Sequence, residues 1–160
     1  MKMLILGASY GSLLSTKLLM AGHDVTLICR STSAALINKE GTEVRIKLRD
    51  EDKHRALRSA DLAGTVNAVT PEQARPEDYD IIALAMQEPQ YSAPAVRGLM
   101  TRIAASQKPC LSIMNMPPLP FLRRIDSLKD LDLDSAYDHA SVWRDFDPGL
   151  MSLCSPDPQA

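Results

Sequence analysis

The chain has 160 residues, a formal net charge of −2 and 45% hydrophobic residues, enough for one core in one domain. Its near-neutral balance argues against nucleic acid as a partner, and no apolar run approaches the ~18 residues that cross a membrane. Cys29, Cys110 and Cys154 are odd in number, widely spaced and without a C-x-x-C pair, so they read as reduced cytoplasmic thiols with no metal site. Met1-Lys2 leads straight into an apolar run, with no signal-peptide pattern. Aromatic residues are scarce, which predicts a core of Leu, Ile, Val, Ala and Met.

Met3–Leu6 is a short apolar run, followed by the small-residue turn Gly7-Ala8-Ser9-Tyr10-Gly11-Ser12. Leu13, Leu14, Lys17, Leu18 and Met20-Ala21 recur at helical spacing until Gly22-His23, where a histidine suits the helix terminus. Val25, Leu27 and Ile28 form a second apolar run ending at Cys29-Arg30. Strand, glycine turn, helix and strand in this order make the opening βαβ unit of a dinucleotide-binding fold. The chemistry behind the pattern is a diphosphate that needs backbone N–H donors at close range. A helix N-terminus offers unpaired amides and a favourable dipole, and side chains would block the approach. Gly7 leaves the strand, Gly11 lets the helix approach the sheet, and Ala8 and Ser9 stay small between them. Tyr10 reads either as a cover over the cofactor or as part of the helix start. The usual spacing is G-x-G-x-x-G; here Ser9 takes the middle place and Gly11 arrives one residue early. A plain βα turn also uses glycine and is the alternative.

Arg30 ends the second strand. An acidic residue there takes the ribose 2′-hydroxyl of NAD, and a basic one takes the 2′-phosphate of NADP. Arg30, with Ser31 and Thr32 as hydrogen-bonding neighbours, points to NADP; a solvated surface arginine is the alternative. Ser31-Thr32-Ser33 look like an N-cap for a short helix, Ala34–Lys39, stopped by Glu40-Gly41. Thr42–Leu48 alternates polar and apolar residues as a half-exposed strand does. Arg49–Lys53 is a charged, solvated turn, His54–Ser59 an antiparallel return, and Val66–Val69 another strand. This β-hairpin excursion is expected to replace the helix crossover of a plain doubly wound sheet.

Thr70–Asp78 is a polar linker. Tyr79–Met86 is a continuous apolar run and the best candidate for a buried central parallel strand. The loop Gln87–Gln90 leaves its carboxyl end, the edge where ligands sit in such sheets. Ala85, Met86 and Gln87 therefore join the cofactor candidates, and Gln90 offers a second loop amide. Tyr91–Ser106 carries Val96, Leu99, Met100 and Ile103 at helical spacing. Cys110–Met114 is the next buried strand and exits through Asn115-Met116-Pro117-Pro118-Leu119-Pro120. The Asn115 amide is expected to face the nicotinamide and hold a substrate oxygen; a turn asparagine is the alternative. Phe121–Ile125 and Leu128–Trp143 look helical but broken. Met151–Cys154 reads as one more short strand, and Ser155–Ala160 as a cut.

Taken together these residues resemble the ketopantoate reductase family. Met1–Arg30, with Gly7, Gly11, Ala21-Gly22-His23-Asp24-Val25 and Arg30, is similar to its start. Asp80–Gln90 resembles its central strand and loop, and Ser112–Met116 its strand ending in an asparagine. The likeness covers most of the chain, clearly to about Arg124. It implies an α/β, Rossmann-like NAD(P)-binding domain, with a mostly parallel sheet, helices on both faces and the hairpin excursion. It also implies NADPH-dependent reduction of a small 2-keto acid, ketopantoate being the best known, to a 2-hydroxy acid. Gly7 to Ser12 would bind the diphosphate, Arg30 the 2′-phosphate, and Asn115 would lie near nicotinamide and substrate.

Three departures stand out: the shortened glycine turn, Gln87 at a common lysine, and Asn115-Met116-Pro117-Pro118 at a common Asn-Gly. The family's general-acid lysine and a substrate-binding carboxylate belong to a helical second domain, which is expected to be missing from residues 1–160. The chain then reads as the cofactor half of a reductase, inactive alone, with an apolar face that favours homo-oligomers. Two rivals remain. A short-chain dehydrogenase has a G-x-x-x-G-x-G turn, but Leu13 stands at the last glycine and no Tyr-x-x-x-Lys pair occurs. A non-catalytic NAD(P)-sensing or protein-binding module is the other.

Overall fold

The computed structural model describes residues 1–47, 52–113 and 116–154. Its main body is a six-stranded, wholly parallel sheet in the order β5-β2-β1-β6-β7-β8. The strands are β1 (Lys2–Leu6), β2 (Asp24–Ile28), β5 (Val66–Val69), β6 (Ile81–Leu84), β7 (Cys110–Ser112) and β8 (Met151–Leu153). Between β2 and β5 the chain also builds β3 (Glu43–Ile46) and β4 (Arg55–Arg58), an antiparallel pair forming its own small sheet. The helices are α1 (Gly11–Met20), α2 (Ser31–Glu40), α3 (Pro94–Ser106) and the single turn α4 (Leu119–Leu122).

β1 lies in the middle because it is apolar on both sides. Lys2 to Leu6 pair with Asp24 to Ile28, and Met3 to Leu6 pair with Ile81 to Leu84. Leu4, Leu6, Ile82 and Leu84 face one core, together with Leu99, Met100 and Ile103 of α3. Ile5, Leu27 and Ala83 face the other, with Leu19 of α1 and Ala34 of α2. The alternation sends successive side chains to opposite faces, so helices must cover both.

Several expectations need correction. The hairpin does not replace the crossover helix: α2 is a full helix between β2 and β5, and the hairpin is an addition after it. The α2 side chain of Asn38 donates through Nδ2 to the Ala68 carbonyl at 2.8 Å and accepts the Ala68 N–H at 2.7 Å. Ser31-Thr32-Ser33 are the first helical residues of α2 rather than its cap; Arg30 takes the N-cap place with extended backbone and no side-chain bond. Tyr91 and Ser92 belong to a 3-10 turn, Glu88–Ser92, and α3 begins at Pro94. The stretch from Asp126 to Trp143 is a string of short 3-10 turns with no α-helix. The core is not only aliphatic, because Trp143 and Tyr91 are fully buried and Tyr137 and Phe146 nearly so. Residues 48–51, 114–115 and 155–160 lie outside the described residues, and with them part of the charged turn Arg49–Lys53, Met114, Asn115 and Ser155–Ala160.

Candidate cofactor site

The carboxyl ends of β1, β2 and β6 open onto a cleft of about 680 Å³. Gly7, Ala8, Ser9 and Tyr10 form its floor. Arg30 stands on one side, and Ala85, Met86 and Gln87 form the opposite wall. Eight residues expected at a cofactor site thus share one cleft. Gly11 and Ser12 lie behind it, and Ser31 lines an adjoining hollow of about 630 Å³. Asn115 lies outside the described residues.

The floor explains its own composition. Gly7 has φ of +103°, a backbone region that L side chains rarely adopt. A Cβ there would also run into the Ala85 carbonyl oxygen and lie 2.8 Å from Met86 Cγ. At Gly11 a Cβ would lie 2.5 Å from Ile5 Cγ2, so glycine lets α1 sit directly on β1. The early Gly11 is accommodated by an early helix: Tyr10 already has right-handed helical backbone, and Gly11 opens α1. The Gly11 N–H donates to the Gly7 carbonyl at 2.9 Å, and the Ser12 hydroxyl donates to the Ser9 carbonyl at 2.8 Å. Among the described residues, no acceptor meets the amides of Ala8, Ser9 and Tyr10. Three N–H groups at the positive end of a ten-residue helix therefore stay available to an anion.

Arg30 is exposed, and its guanidinium makes no ion pair or hydrogen bond with another described residue. Ser33 joins it in the cleft, one helical turn later. Cys29 lines both hollows, and burial pushes its thiol above the ordinary range. In the opposite wall the Gln87 N–H donates to Gln90 Oε1 at 2.9 Å. The Gln90 N–H donates back to the Gln87 carbonyl at 3.0 Å, so the two residues close the 3-10 turn between them. Ser33 is not among the residues expected at the cleft, because its place there depends on where α2 starts; Cys29 reaches it directly from the end of β2. The i to i+3 spacing from Arg30 to Ser33 carries that signal once Arg30 is placed at the cap. The second hollow adds Thr70, Pro71 and Glu72 from the exit of β5 and Ala95 and Val96 from α3, and its walls are mostly apolar.

The sheet order, the parallel pairing and a cleft at the strand exits define a Rossmann-like α/β domain. The model of the family ketopantoate reductase PanE/ApbA matches residues 3–115, and the chain belongs to that family. The family takes its name from a reductase. Solved structures agree on the fold. A protein described as a ketopantoate reductase from Ralstonia solanacearum MolK2 aligns with a TM-score of 0.64 at 18% identity, over 96% of this chain and 44% of its own. One described as a 2-dehydropantoate 2-reductase from Enterococcus faecalis aligns with a TM-score of 0.51 at 17% identity, over 97% of this chain and 57% of its own. The chain thus spans about half the length of these structures. No curated protein matches it. No described helix is long and apolar enough to cross a membrane.

Proposed function

We propose that this chain is the NADPH-binding portion of an oxidoreductase that reduces a 2-keto acid to a 2-hydroxy acid by hydride transfer. We further propose that it does not turn over substrate alone. The observation that carries the reading is the set of amides at Ala8, Ser9 and Tyr10, which no acceptor meets among the described residues, in the same cleft as an Arg30 guanidinium with no partner among them. The donor set fits the group: three N–H groups and a guanidinium in one cleft match a diphosphate and a further phosphate.

In this reading the Ala8, Ser9 and Tyr10 amides donate to the diphosphate. Arg30, with Ser31 and Ser33 beside it, takes the 2′-phosphate. The apolar hollow between Ile28, Pro71 and Val96 takes the adenine ring. Ala85, Met86 and Gln87 lie along the path toward the nicotinamide. Bound NADPH supplies the hydride. Asn115 is assigned to the substrate oxygen from the sequence resemblance. The proton for the resulting alkoxide has no donor assigned in this chain and is expected from a helical domain.

Titrating the chain with NADPH and with NADH, followed by nicotinamide fluorescence, tests this. A charge-assisted contact of about 1.5–3 kcal/mol corresponds to roughly ten- to hundred-fold preference for NADPH. Arg30→Ala is expected to abolish that preference and leave NADH binding unchanged. Equal affinity for both nucleotides, unaffected by the substitution, removes Arg30 from the proposal. Absence of binding to either nucleotide overturns it.

A further inference from the structure

Past Gln87 the cofactor cleft gives way to a smaller cavity of about 290 Å³, and Gln87 lines both. Glu88 and Pro89, just beyond β6, form one side of it; Met116, Ala136 and Asp138 form the other. Glu88 is only 7% exposed. Its Oε1 is sealed from solvent and has no hydrogen-bond partner. No described residue donates to its other oxygen, which is not sealed. The guanidinium of Arg123, whose charge reaches the neighbouring Tyr137, is held by Asp134 at 2.7 Å. The Tyr137 hydroxyl is spent on the Pro117 carbonyl.

A carboxyl group withdrawn from water without a donor is costly, and a ligand that brings the donor recovers that cost. The exposed Asp138 adds a second negative group to the same cavity, and no Lys or Arg is among its described lining residues. The remaining wall, Pro89, Met116 and Ala136, is apolar. We infer that this cavity takes a primary ammonium group on a short apolar stem. Glu88 accepts its charge-assisted hydrogen bond through the oxygen that is not sealed, and the apolar wall covers the stem. A carboxylate entering the same space meets two like charges. Because Gln87 joins this cavity to the cofactor cleft, the ammonium is the tail of the molecule to be reduced. The substrate class is a 2-keto acid that carries an amino group. That last step rests on the cofactor reading, whereas the ammonium site does not.

The test is a titration of the full chain with n-butylammonium chloride, read in ¹H–¹⁵N spectra, against sodium butyrate and magnesium chloride at equal ionic strength. Butylammonium is expected to shift the amides of Gln87, Glu88, Ala136 and Asp138, and butyrate to leave them in place. Glu88→Gln keeps the shape and removes the charge, and is expected to weaken binding about tenfold or more. Asp138→Asn, on the exposed side, is expected to weaken it about two- to threefold. Equal shifts with butyrate, shifts with magnesium alone, or undiminished binding in Glu88→Gln overturn the inference. Should Glu88→Gln fail to fold, the butylammonium–butyrate contrast on the unaltered chain decides. NADPH is read separately at the amides of Ala8 to Tyr10. A chain that binds butylammonium but no NADPH keeps this site and loses the cofactor reading; the reverse loses only this site.

Discussion

The hydroxyl oxygen of Tyr91 accepts the backbone N–H of Met86 at 3.1 Å, so a fully buried ring holds one wall of the cofactor cleft. The ring in turn lies 5.4 Å from that of Trp143, which lies 5.7 Å from Phe146. Aromatic pairs at these separations and tilts are attractive beyond their burial. The late part of the chain thus supports residues that sit some sixty positions earlier, and does so through one hydrogen bond.

Tyr91→Phe is expected to leave the Met86 N–H without its partner and lower stability by about 0.5–1.5 kcal/mol. If the bond positions the wall, NADPH affinity falls several-fold more than urea stability alone explains, and NADH affinity falls with it. Trp143→Ala, which removes the buttress itself, is expected to cost about 3–5 kcal/mol. Unchanged nucleotide affinity in folded Tyr91→Phe assigns the bond to stability only.

Two glycines in helices are expected to respond with opposite signs. Gly11→Ala places a Cβ 2.5 Å from Ile5 Cγ2, where neither β1 nor α1 has room to yield. It is expected to destabilise by about 1–3 kcal/mol, as overpacked cores do. Gly98→Ala, in α3, meets only the flexible end of Arg102 at 3.8 Å. It is expected to stabilise by about 0.5–1 kcal/mol, because alanine is the better helix former. Thermal unfolding of both variants in one buffer checks the pair.

Asn38→Ala removes both bonds between α2 and the edge strand β5 and leaves the Ala68 N–H and carbonyl without partners. A loss of about 1–3 kcal/mol is expected. Asn38→Asp keeps the acceptor for the Ala68 N–H but not the donor for its carbonyl, and should lie between. Hydrogen exchange at Ala68 reports the change locally and should accelerate in Asn38→Ala before the β1 amides do.

Asp24 gives a pH signature. Its carboxylate accepts from the Thr65 hydroxyl at 2.6 Å and from the Thr65 N–H at 3.2 Å, and these bonds hold its pKa below the ordinary 3.8. A lowered pKa in the folded state favours folding above the unfolded value and loses that contribution as pH falls through the folded value. The Tm difference between the unaltered chain and Asp24→Ala is therefore expected to be largest near neutral pH and to shrink at the acid end. A difference independent of pH counts against the Thr65 bonds as its source.

The legible parts of this protein were those that short segments decide for themselves. Met3–Leu6, the glycine turn and the apolar run before Gln87 announced two neighbouring parallel strands and the floor of a cleft, and Gly7 proved to be a position where a side chain has no space. The hairpin was legible too, because its alternation is local. That α2 persists beside it was not, since the tie from Asn38 to Ala68 joins residues thirty apart and leaves no periodic trace. The aromatic support and the isolated Glu88 were equally invisible, for each depends on segments between 116 and 146 folding back over the exit of β6.

By itself the order of residues determined that two strands and a helix would meet at a small, amide-rich turn with an arginine one strand away, because periodicity and side-chain size act over a few neighbours. Tertiary structure alone decided which distant groups close the walls around that turn, and which are left without partners. Those outcomes depend on where long loops bring their side chains, and no local pattern encodes that distance.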